Sequence, residues 1–153
     1  MAPTTTISTP LPAGCTPEAA IAALHNHELF IKATCPALIS HKLISGTPNI
    51  DEPCVYEVTD KKPIGQTTYK LTLTNRVDGI DNLVNAKPPV GTLTINGTTR
   101  IVDGVMKEEV DIAANMLLKK MVKVRKFQVR NSCVGPVSVV LNVRASASEV
   151  LHV

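Results

Sequence analysis

The sequence of 153 residues is poor in aromatic side chains, since it has two Tyr, two Phe and no Trp. Proteins that bind single-stranded nucleic acids stack the bases on aromatic rings. The energetically dominant residues of protein interfaces are also enriched in Trp and Tyr. The shortage of aromatic rings therefore argues against a single-strand nucleic-acid-binding protein and against a protein interface anchored by aromatic residues. A nucleic-acid partner is not expected despite a formal net charge of +3.

Closely spaced cysteines are missing as well. The four cysteines, Cys15, Cys35, Cys54 and Cys133, lie too far apart for a C-x-x-C motif, so neither a zinc ribbon nor a thioredoxin-type dithiol is predicted. Spacing alone leaves a disulfide open, but we expect reduced, partly buried thiols. The sequence also lacks Gly-x-Gly, and we predict neither a cofactor nor a metal.

Long apolar runs are absent too. No run approaches the roughly 18 apolar residues of a membrane span, and no Lys or Arg precedes Lys32, whereas a secretory signal begins with a basic region. The length and the 44% of hydrophobic residues suit one domain with a core. We interpret the sequence as that of a soluble cytoplasmic protein without a transmembrane segment, and its oligomeric state stays open.

The charges are unevenly placed along the chain. Residues 1–111 hold 12 acidic and 9 basic residues, a net charge of −3, whereas residues 112–153 hold one acidic and 7 basic residues, a net charge of +6. Six of the bases crowd one segment: Lys119, Lys120, Lys123, Arg125, Lys126 and Arg130. Four of them recur at spacings of three and four, which is typical of a solvated helix face, so we favour that interpretation over a phosphate-binding surface.

Helix signals lie near the amino terminus, after a Thr-rich opening strand at residues 4–8. Thr16, Pro17 and Glu18 supply an N-cap hydroxyl, a proline at the first helical position and an acid in the first turn. Helix formers follow, and the segment continues or re-forms as far as Lys32. It must stop near Cys35, because the residue before a proline disfavours the helical conformation.

From about Ala37 the pattern changes to strands. Alternation places Cys54, Tyr56 and Val58 on one face of a strand, and a second strand does the same with Tyr69, Leu71 and Leu73. The dipeptides Asp78-Gly79, Asn96-Gly97 and Asp103-Gly104 are typical of tight hairpin turns, and Pro88-Pro89 marks a break. The region is predicted to be an antiparallel meander of five or six strands.

A second amphipathic helix is predicted from about Ala114, and its pattern ends before Gly135-Pro136. The fold class is therefore α+β: a curved antiparallel sheet wrapped on a C-terminal amphipathic helix, with N-terminal helices after the first strand.

Several segments occur in an order that resembles a known superfamily. They are Leu24-His25-Asn26-His27-Glu28, Tyr56-Glu57-Val58-Thr59-Asp60, Tyr69 to Asn75 with Asp78-Gly79, and Lys107-Glu108-Glu109-Val110 leading into Asn115-Met116-Leu117-Leu118. In this order the chain resembles the helix-grip, START-like proteins, also called polyketide cyclase/dehydrase-like or Bet v 1-like, and more narrowly small fungal proteins of that type. The likeness covers roughly residues 4–125. It implies a helix-grip domain over residues 1–131, an atypical tail over residues 132–153, and an apolar cavity between the sheet and the last helix.

The resemblance also suggests ligand-binding residues. Tyr56 and Tyr69 place their rings on the more apolar face of their strands, and in helix-grip proteins such hydroxyls orient a ligand carbonyl. Met116, Leu117 and Met121 would face the sheet from the last helix. The predicted ligand-binding residues are Tyr56, Tyr69, Met116, Leu117, Met121 and His25.

Histidine and carboxylate side chains are the candidates for metal binding or acid–base catalysis. His25 and His27 are two residues apart, so a helix points them away from each other and cannot bring both to one metal. His25 and Glu28, three apart, suit a hydrogen-bonded acid–base pair, although a helix face against solvent or the sheet edge is the simpler interpretation. Glu109 and Asp111 share one face of a strand that also carries Glu108, and we interpret that face as solvent-exposed.

Three functions follow as hypotheses. The first is a noncatalytic module that binds an apolar small molecule, a lipid or a polyketide-like metabolite, in the cavity. The second is an enzyme of the cyclase or isomerase kind, in fungal secondary metabolism, that uses the same cavity. The third is a protein with a vestigial cavity whose basic helix makes an assembly contact.

Overall fold

The computed structural model describes residues 4–35, 37–87 and 91–114. Within them lie two helices and seven strands: β1 (Thr4–Pro10), α1 (Pro17–His25), α2 (His27–Thr34), β2 (Leu38–Ser45), β3 (Pro53–Lys61), β4 (Gln66–Arg76), β5 (Gly79–Ala86), β6 (Leu93–Val102) and β7 (Val105–Ala114). The predicted second amphipathic helix, the basic segment, the tail 132–153 and the Pro88-Pro89 break lie outside the described residues.

All seven strands belong to one antiparallel sheet with the order β1-β7-β6-β5-β4-β3-β2. Strands β2 to β7 follow one another as a six-stranded antiparallel meander, in agreement with the predicted five or six strands. The first strand pairs with the last, with Thr4 opposite Asp111 and Pro10 opposite Val105. The α+β class and the helices after the first strand are thereby confirmed.

Side-chain hydrogen bonds cap the first turns of both helices. The hydroxyl of Thr16 accepts a hydrogen bond of 3.2 Å from the backbone N–H of Ala19, so one of the unsatisfied donors of the first turn has a partner. Asn26 separates the helices, and its Oδ1 accepts a 3.1 Å hydrogen bond from the N–H of Leu29 at the start of α2. The predicted cap and the predicted stop near Cys35 are both confirmed.

The cap gives a first testable prediction. We expect Thr16→Ala to lower the free energy of unfolding by about 1 kcal/mol, because the N–H of Ala19 loses its acceptor. Thr16→Ser keeps the hydroxyl and is the matched control, which we expect to stay within a few tenths of a kcal/mol of the wild type. Urea denaturation followed by circular dichroism measures both, and equal losses in the two variants would show that the hydroxyl does not stabilise α1.

One face of the sheet, here called the inner face, is buried. Alternate residues of β3 and β4 form its rows: Cys54, Tyr56, Val58 and Asp60 on β3, and Tyr69, Leu71, Leu73 and Asn75 on β4, all at most 8% exposed. The helices add buried apolar residues to the same core: Ala20, Leu24, Phe30 and Ile31. Burial of these side chains is the main favourable contribution to folding, and each apolar row continues into a polar residue.

The predicted hairpin turn at Asn96-Gly97 is wrong. Strand β6 runs through both residues, and Gly97 pairs with Asn82 on β5 and with Val110 on β7. A Cβ atom on Gly97 would lie 2.3 Å from Oδ1 of Asn82. The absence of a Cβ atom at Gly97 therefore leaves room for the side chain of Asn82 from the neighbouring strand. Close approach of another part of the chain is a common reason for a glycine within a strand.

The other two turn dipeptides do lie at hairpins. Asp103 and Gly104 have φ angles of 51° and 72°, the positive values that a tight turn between antiparallel strands needs. Val77 and Asp78 form the turn between β4 and β5, and Gly79 is the first residue of β5.

Candidate functional site

A cavity lies between α2 and the inner face of the sheet. Its apolar wall is formed by Phe30, Leu71, Val84, Ile95 and Val110. The cavity volume is about 40 Å³, which is room for about three water molecules. Because the wall draws on α2 and on strands β4 to β7, the cavity is a product of the tertiary fold rather than of one loop.

Polar side chains also reach this cavity: Thr34, Cys35, Tyr69, Asn82, Thr99 and Glu108. Two of the hydroxyl protons are already engaged. The Tyr69 hydroxyl donates to Oδ2 of Asp60 over 2.9 Å, and the Thr34 hydroxyl donates to the carbonyl oxygen of Phe30 over 2.8 Å. These contacts hold both side chains in place and leave their oxygen lone pairs as acceptors.

Tyr69 is the centre of a buried polar cluster. Its hydroxyl bonds to Asp60, which is 1% exposed, and lies 3.3 Å from the thiol sulfur of Cys35. Burial, followed by the neighbouring Cys35 and Asp60, raises the pKa of Tyr69 far above its usual range. Burial also raises the pKa of the Cys35 thiol. Both groups stay protonated at neutral pH, so Cys35 lacks the thiolate form that a nucleophile needs.

Glu108 is the least expected member of the cavity. It is 6% exposed and lies on β7 opposite Ile7 of β1 and Thr99 of β6. Within the described ranges, no hydrogen bond or ion pair to its carboxyl group is found. Burial raises the pKa of Glu108 to about 7, because an apolar surrounding disfavours the charged form. Neutral and ionised carboxyl groups therefore coexist near neutral pH.

A second buried polar cluster surrounds His27. Nδ1 of His27 lies 2.9 Å from the Tyr56 hydroxyl, and Nε2 lies 2.9 Å from Oδ1 of Asn75. The amide nitrogen of Asn75 donates to the carbonyl oxygen of Pro48 over 3.1 Å, so Oδ1 must be the atom that faces the ring. We therefore assign the proton to Nε2, which donates to Asn75, and Nδ1 accepts from Tyr56.

This cluster is saturated by its own members. Burial, more than the neighbouring charge of His25, lowers the pKa of His27, while the hydrogen bond to Asn75 opposes that effect. His27 is consequently neutral at pH 7 and above, which is the form that both hydrogen bonds require. The cluster ties α2 to β3 and β4 and leaves no ring nitrogen for a ligand.

The structure separates the sequence-predicted site residues. Tyr69 lines the cavity. Tyr56 lies on the inner face but outside the cavity wall, with its hydroxyl bound to His27. Nε2 of His25 lies 2.9 and 3.0 Å from the backbone carbonyl oxygens of Arg76 and Gly79, so His25 ties α1 to the β4–β5 hairpin. Met116, Leu117 and Met121 lie outside the described residues.

The acid–base pair weighed for Glu28 does not form, because its carboxylate lies 2.6 Å from the ammonium group of Lys32 on the exposed side of α2. Glu109 and Asp111 are exposed, as interpreted from the sequence.

Sequence reasoning missed Glu108 and His27, although a signal existed for both. Glu108 continues the alternation of Met106, Val110 and Ile112, which are buried or half-buried. His27 shares the buried helix face with Phe30, Ile31 and Thr34 at spacings of three, four and seven. Each polar residue occupies a position that its neighbours mark as internal, which is where an unexpected polar group is most informative.

The described residues were also compared with the requirements of a disulfide, a metal site and a membrane-spanning helix. Cys35 and Cys54 are buried free thiols. No group of three or more His, Cys, Asp or Glu side chains in residues 4–35, 37–87 and 91–114 is arranged to hold a metal ion. Neither of the two described helices has the length and apolar character needed to cross a membrane.

Comparisons with known proteins complete the description. The crystal structure of Ara h 8.0201 is similar to this chain with a TM-score of 0.48 and 15% sequence identity, over 73% of this chain and 76% of that chain. No curated protein matches the sequence. The family model described as a domain of unknown function, DUF7053, matches residues 2–136. Since this match spans most of the sequence, the chain belongs to the DUF7053 family.

Proposed function

We propose that the chain binds a small, largely apolar molecule in the cavity between α2 and the inner face. The observation that supports this most is the surface of the cavity wall, most of which is apolar and includes five apolar side chains from one helix and four strands. Ligand sites in proteins have this character, because apolar surface supplies affinity and a small number of polar groups fixes orientation.

The size of the cavity limits the ligand. A volume of about 40 Å³ is far below the roughly 300–1,000 Å³ of pockets that enclose drug-sized molecules. The ligand that fits is therefore a very small molecule or one end of a longer one. A lipid or a polyketide-like metabolite, as predicted from the sequence, would place its terminal group here.

Binding can be tested with methylenecyclopentane, an uncharged hydrocarbon of compact shape that would place its methylene end in the cavity, in a ¹H–¹⁵N NMR titration of the full chain. Val84→Phe and Val110→Phe each add a ring to a residue of the cavity wall. We expect both variants to bind the probe at least tenfold more weakly than the wild type, because the added ring occupies the space of the probe.

Val77→Phe is the matched control, since Val77 is 78% exposed in the β4–β5 turn and lies outside the cavity wall. We expect it to bind like the wild type. Two variants at different wall positions guard against misfolding of one, and far-UV circular dichroism checks both. Wild-type affinity in folded Val84→Phe and Val110→Phe would contradict the proposed site.

An isomerase-type or cyclase-type enzyme is the second candidate, and Glu108 is the observation that favours it. A carboxyl group whose pKa is raised to about 7 is suited to general acid–base catalysis at neutral pH. The test is exchange of the α-protons of cyclopentanone for deuterium in D₂O. Exchange that is accelerated by the wild type and lost in Glu108→Gln would favour the enzyme, and exchange at the uncatalysed rate would favour the binding module.

A further inference from the structure

We infer that Glu108 is the specificity-determining residue of the cavity and that it selects ligands with a carbonyl oxygen, to which its carboxyl group donates a hydrogen bond. This inference rests on the proposed function, because it names the chemical class of the molecule bound at the same site. It also goes further, since an apolar cavity alone would favour a hydrocarbon over a ketone of the same shape, because the carbonyl group would lose its hydrogen bonds to water.

Glu108 lines the cavity and is 6% exposed. None of the described residues offers its carboxyl group a hydrogen bond or a counter-charge. A polar group that is largely withdrawn from water and has no partner is unfavourable. An oxygen acceptor on the ligand would reduce that cost, whereas a hydrocarbon would leave it in place.

The surroundings of the carboxyl group carry no positive charge in the described part of the chain, because no Lys, Arg or His there lines the cavity. Ile7 of β1 and Thr99 of β6 lie opposite Glu108, and Asn82 of β5 is uncharged. Without a nearby cation the ionised form is disfavoured, so below about pH 7 the acid form predominates and carries a proton to donate.

Other titratable groups also face the cavity from α2 and β4. Cys35 at the end of α2 and Tyr69 on β4 both stay protonated between pH 5 and 8, because burial raises the pKa of each. Glu109 contributes to the wall from β7 but its side chain is exposed. Asp60 reaches the cavity only through the hydroxyl of Tyr69. Glu108 is thus the cavity-lining acid whose protonation changes near neutral pH.

Two of the competing donors in the cavity are already engaged. The hydroxyl proton of Tyr69 points to Asp60, and that of Thr34 points to the carbonyl oxygen of Phe30. A ligand carbonyl that relied on either group would have to break an existing hydrogen bond.

The carboxyl proton of Glu108 meets no such partner among the described residues, so a carbonyl oxygen can accept it without breaking a hydrogen bond. The Thr99 hydroxyl and the Asn82 amide also line the cavity, but these uncharged donors keep their protons at every pH of the experiment. A preference for a carbonyl that disappears as the pH rises therefore identifies Glu108 as the donor.

The experiment compares cyclopentanone with methylenecyclopentane, which differ in shape only by the exchange of oxygen for a methylene group. Affinities are measured by NMR titration of the full chain at pH 5.5 and pH 8.5. We expect the wild type to prefer the ketone by about tenfold at pH 5.5, the effect of one good hydrogen bond. The preference should vanish at pH 8.5, because ionised Glu108 accepts hydrogen bonds but cannot donate one.

Variants of Glu108 and one control assign the preference. Glu108→Leu should show no preference for the ketone at either pH. Glu108→Gln keeps an N–H donor and should retain a preference that no longer depends on pH. Glu57→Gln, at an exposed position of β3 outside the cavity wall, should behave like the wild type.

The outcomes distinguish failure of the binding site from failure of the role of Glu108. If the wild type binds neither compound, the proposed function fails, and this inference fails with it. If the hydrocarbon binds and the ketone shows no preference, or if the preference persists in Glu108→Leu or at pH 8.5, only the role of Glu108 is overturned. Cyclopentylamine is the third probe, and tighter binding of this amine as the pH rises through 7 would reassign Glu108 to a cationic ligand.

Discussion

Tyr69→Phe is expected to lower the free energy of unfolding by about 2–3 kcal/mol. The substitution keeps the aromatic ring, which is 3% exposed, and removes only the hydroxyl that donates to Asp60 over 2.9 Å. Asp60 is 1% exposed, so water cannot easily replace the lost donor. Hydrogen bonds to carboxylate groups contribute about 1.5–3 kcal/mol, more than those between neutral groups.

Tyr56→Phe is the matched control, because the same atom is removed from another ring on the inner face. The Tyr56 hydroxyl donates to the neutral ring of His27, and we expect its loss to cost about 1 kcal/mol. Urea denaturation at pH 7, followed by circular dichroism, measures both variants. If Tyr69→Phe destabilises the protein no more than Tyr56→Phe does, the hydrogen bond to Asp60 does not contribute the expected additional stability.

A double-mutant cycle isolates the pair. Asp60→Leu removes both carboxyl oxygens, and the double variant removes both partners. We expect the two single losses to exceed the loss in the double variant, because the second substitution finds its partner already absent. Additive losses would mean that Tyr69 and Asp60 stabilise the fold independently.

Glu108→Gln is expected to stabilise the protein by up to about 3 kcal/mol at pH 8 and to leave it nearly unchanged at pH 4. The pKa of Glu108 is raised from 4.5 to about 7 in the folded chain. Between these values the unfolded chain loses the proton while the folded chain keeps it, so wild-type stability falls as the pH rises. Above pH 7 both states are ionised and the full cost is present. Glutamine cannot ionise, so it avoids this cost.

The measurement is the difference in unfolding free energy between the variant and the wild type at pH 4, 6 and 8. Taking the difference cancels the groups that titrate alike in both proteins. Glu109→Gln provides the control, since the same substitution at an exposed position should give a difference close to zero at every pH. A difference for Glu108→Gln that does not grow between pH 4 and pH 8 would contradict the burial of an uncompensated carboxyl group.

These two predictions describe different uses of buried polar groups. The bond between Tyr69 and Asp60 stabilises the fold and fixes one side of the cavity. Glu108 does the reverse, because it lowers stability at neutral pH and has no partner among the described residues. Such a group is expected where a protein keeps a binding function at the expense of stability.

The elements were largely predictable because their signals are local. The N-cap at Thr16 and the stop before residue 36 depend on a few adjacent residues, and the two-residue alternation of β3 and β4 marks the inner face directly. The turn at Asn96-Gly97 was predicted wrongly because the role of this glycine depends on a residue that is distant in the sequence. What decides the role of Gly97 is the side chain of Asn82, which comes from the neighbouring strand and leaves no local signal.

The site was predictable only in part. The ring of Tyr69 could be placed on the inner face, but its partners depend on tertiary packing: Asp60 comes from the adjacent strand and Cys35 from the end of α2. Glu108 and His27 could be read as internal from their spacing. Whether such a residue finds a partner depends on side chains elsewhere in the sequence. Among the described residues His27 has a partner for each ring nitrogen, whereas Glu108 has none for its carboxyl group.

The most direct test of the account is the pKa of the Glu108 carboxyl group, measured by ¹³C NMR with and without cyclopentanone. We expect a value of about 7 in the free protein. The ketone should raise it further, because a ligand that binds only the acid form shifts the equilibrium toward that form. A value near 4.5 in the free protein would contradict the burial of an unpaired carboxyl group. A value near 7 that cyclopentanone leaves unchanged would contradict its role in binding.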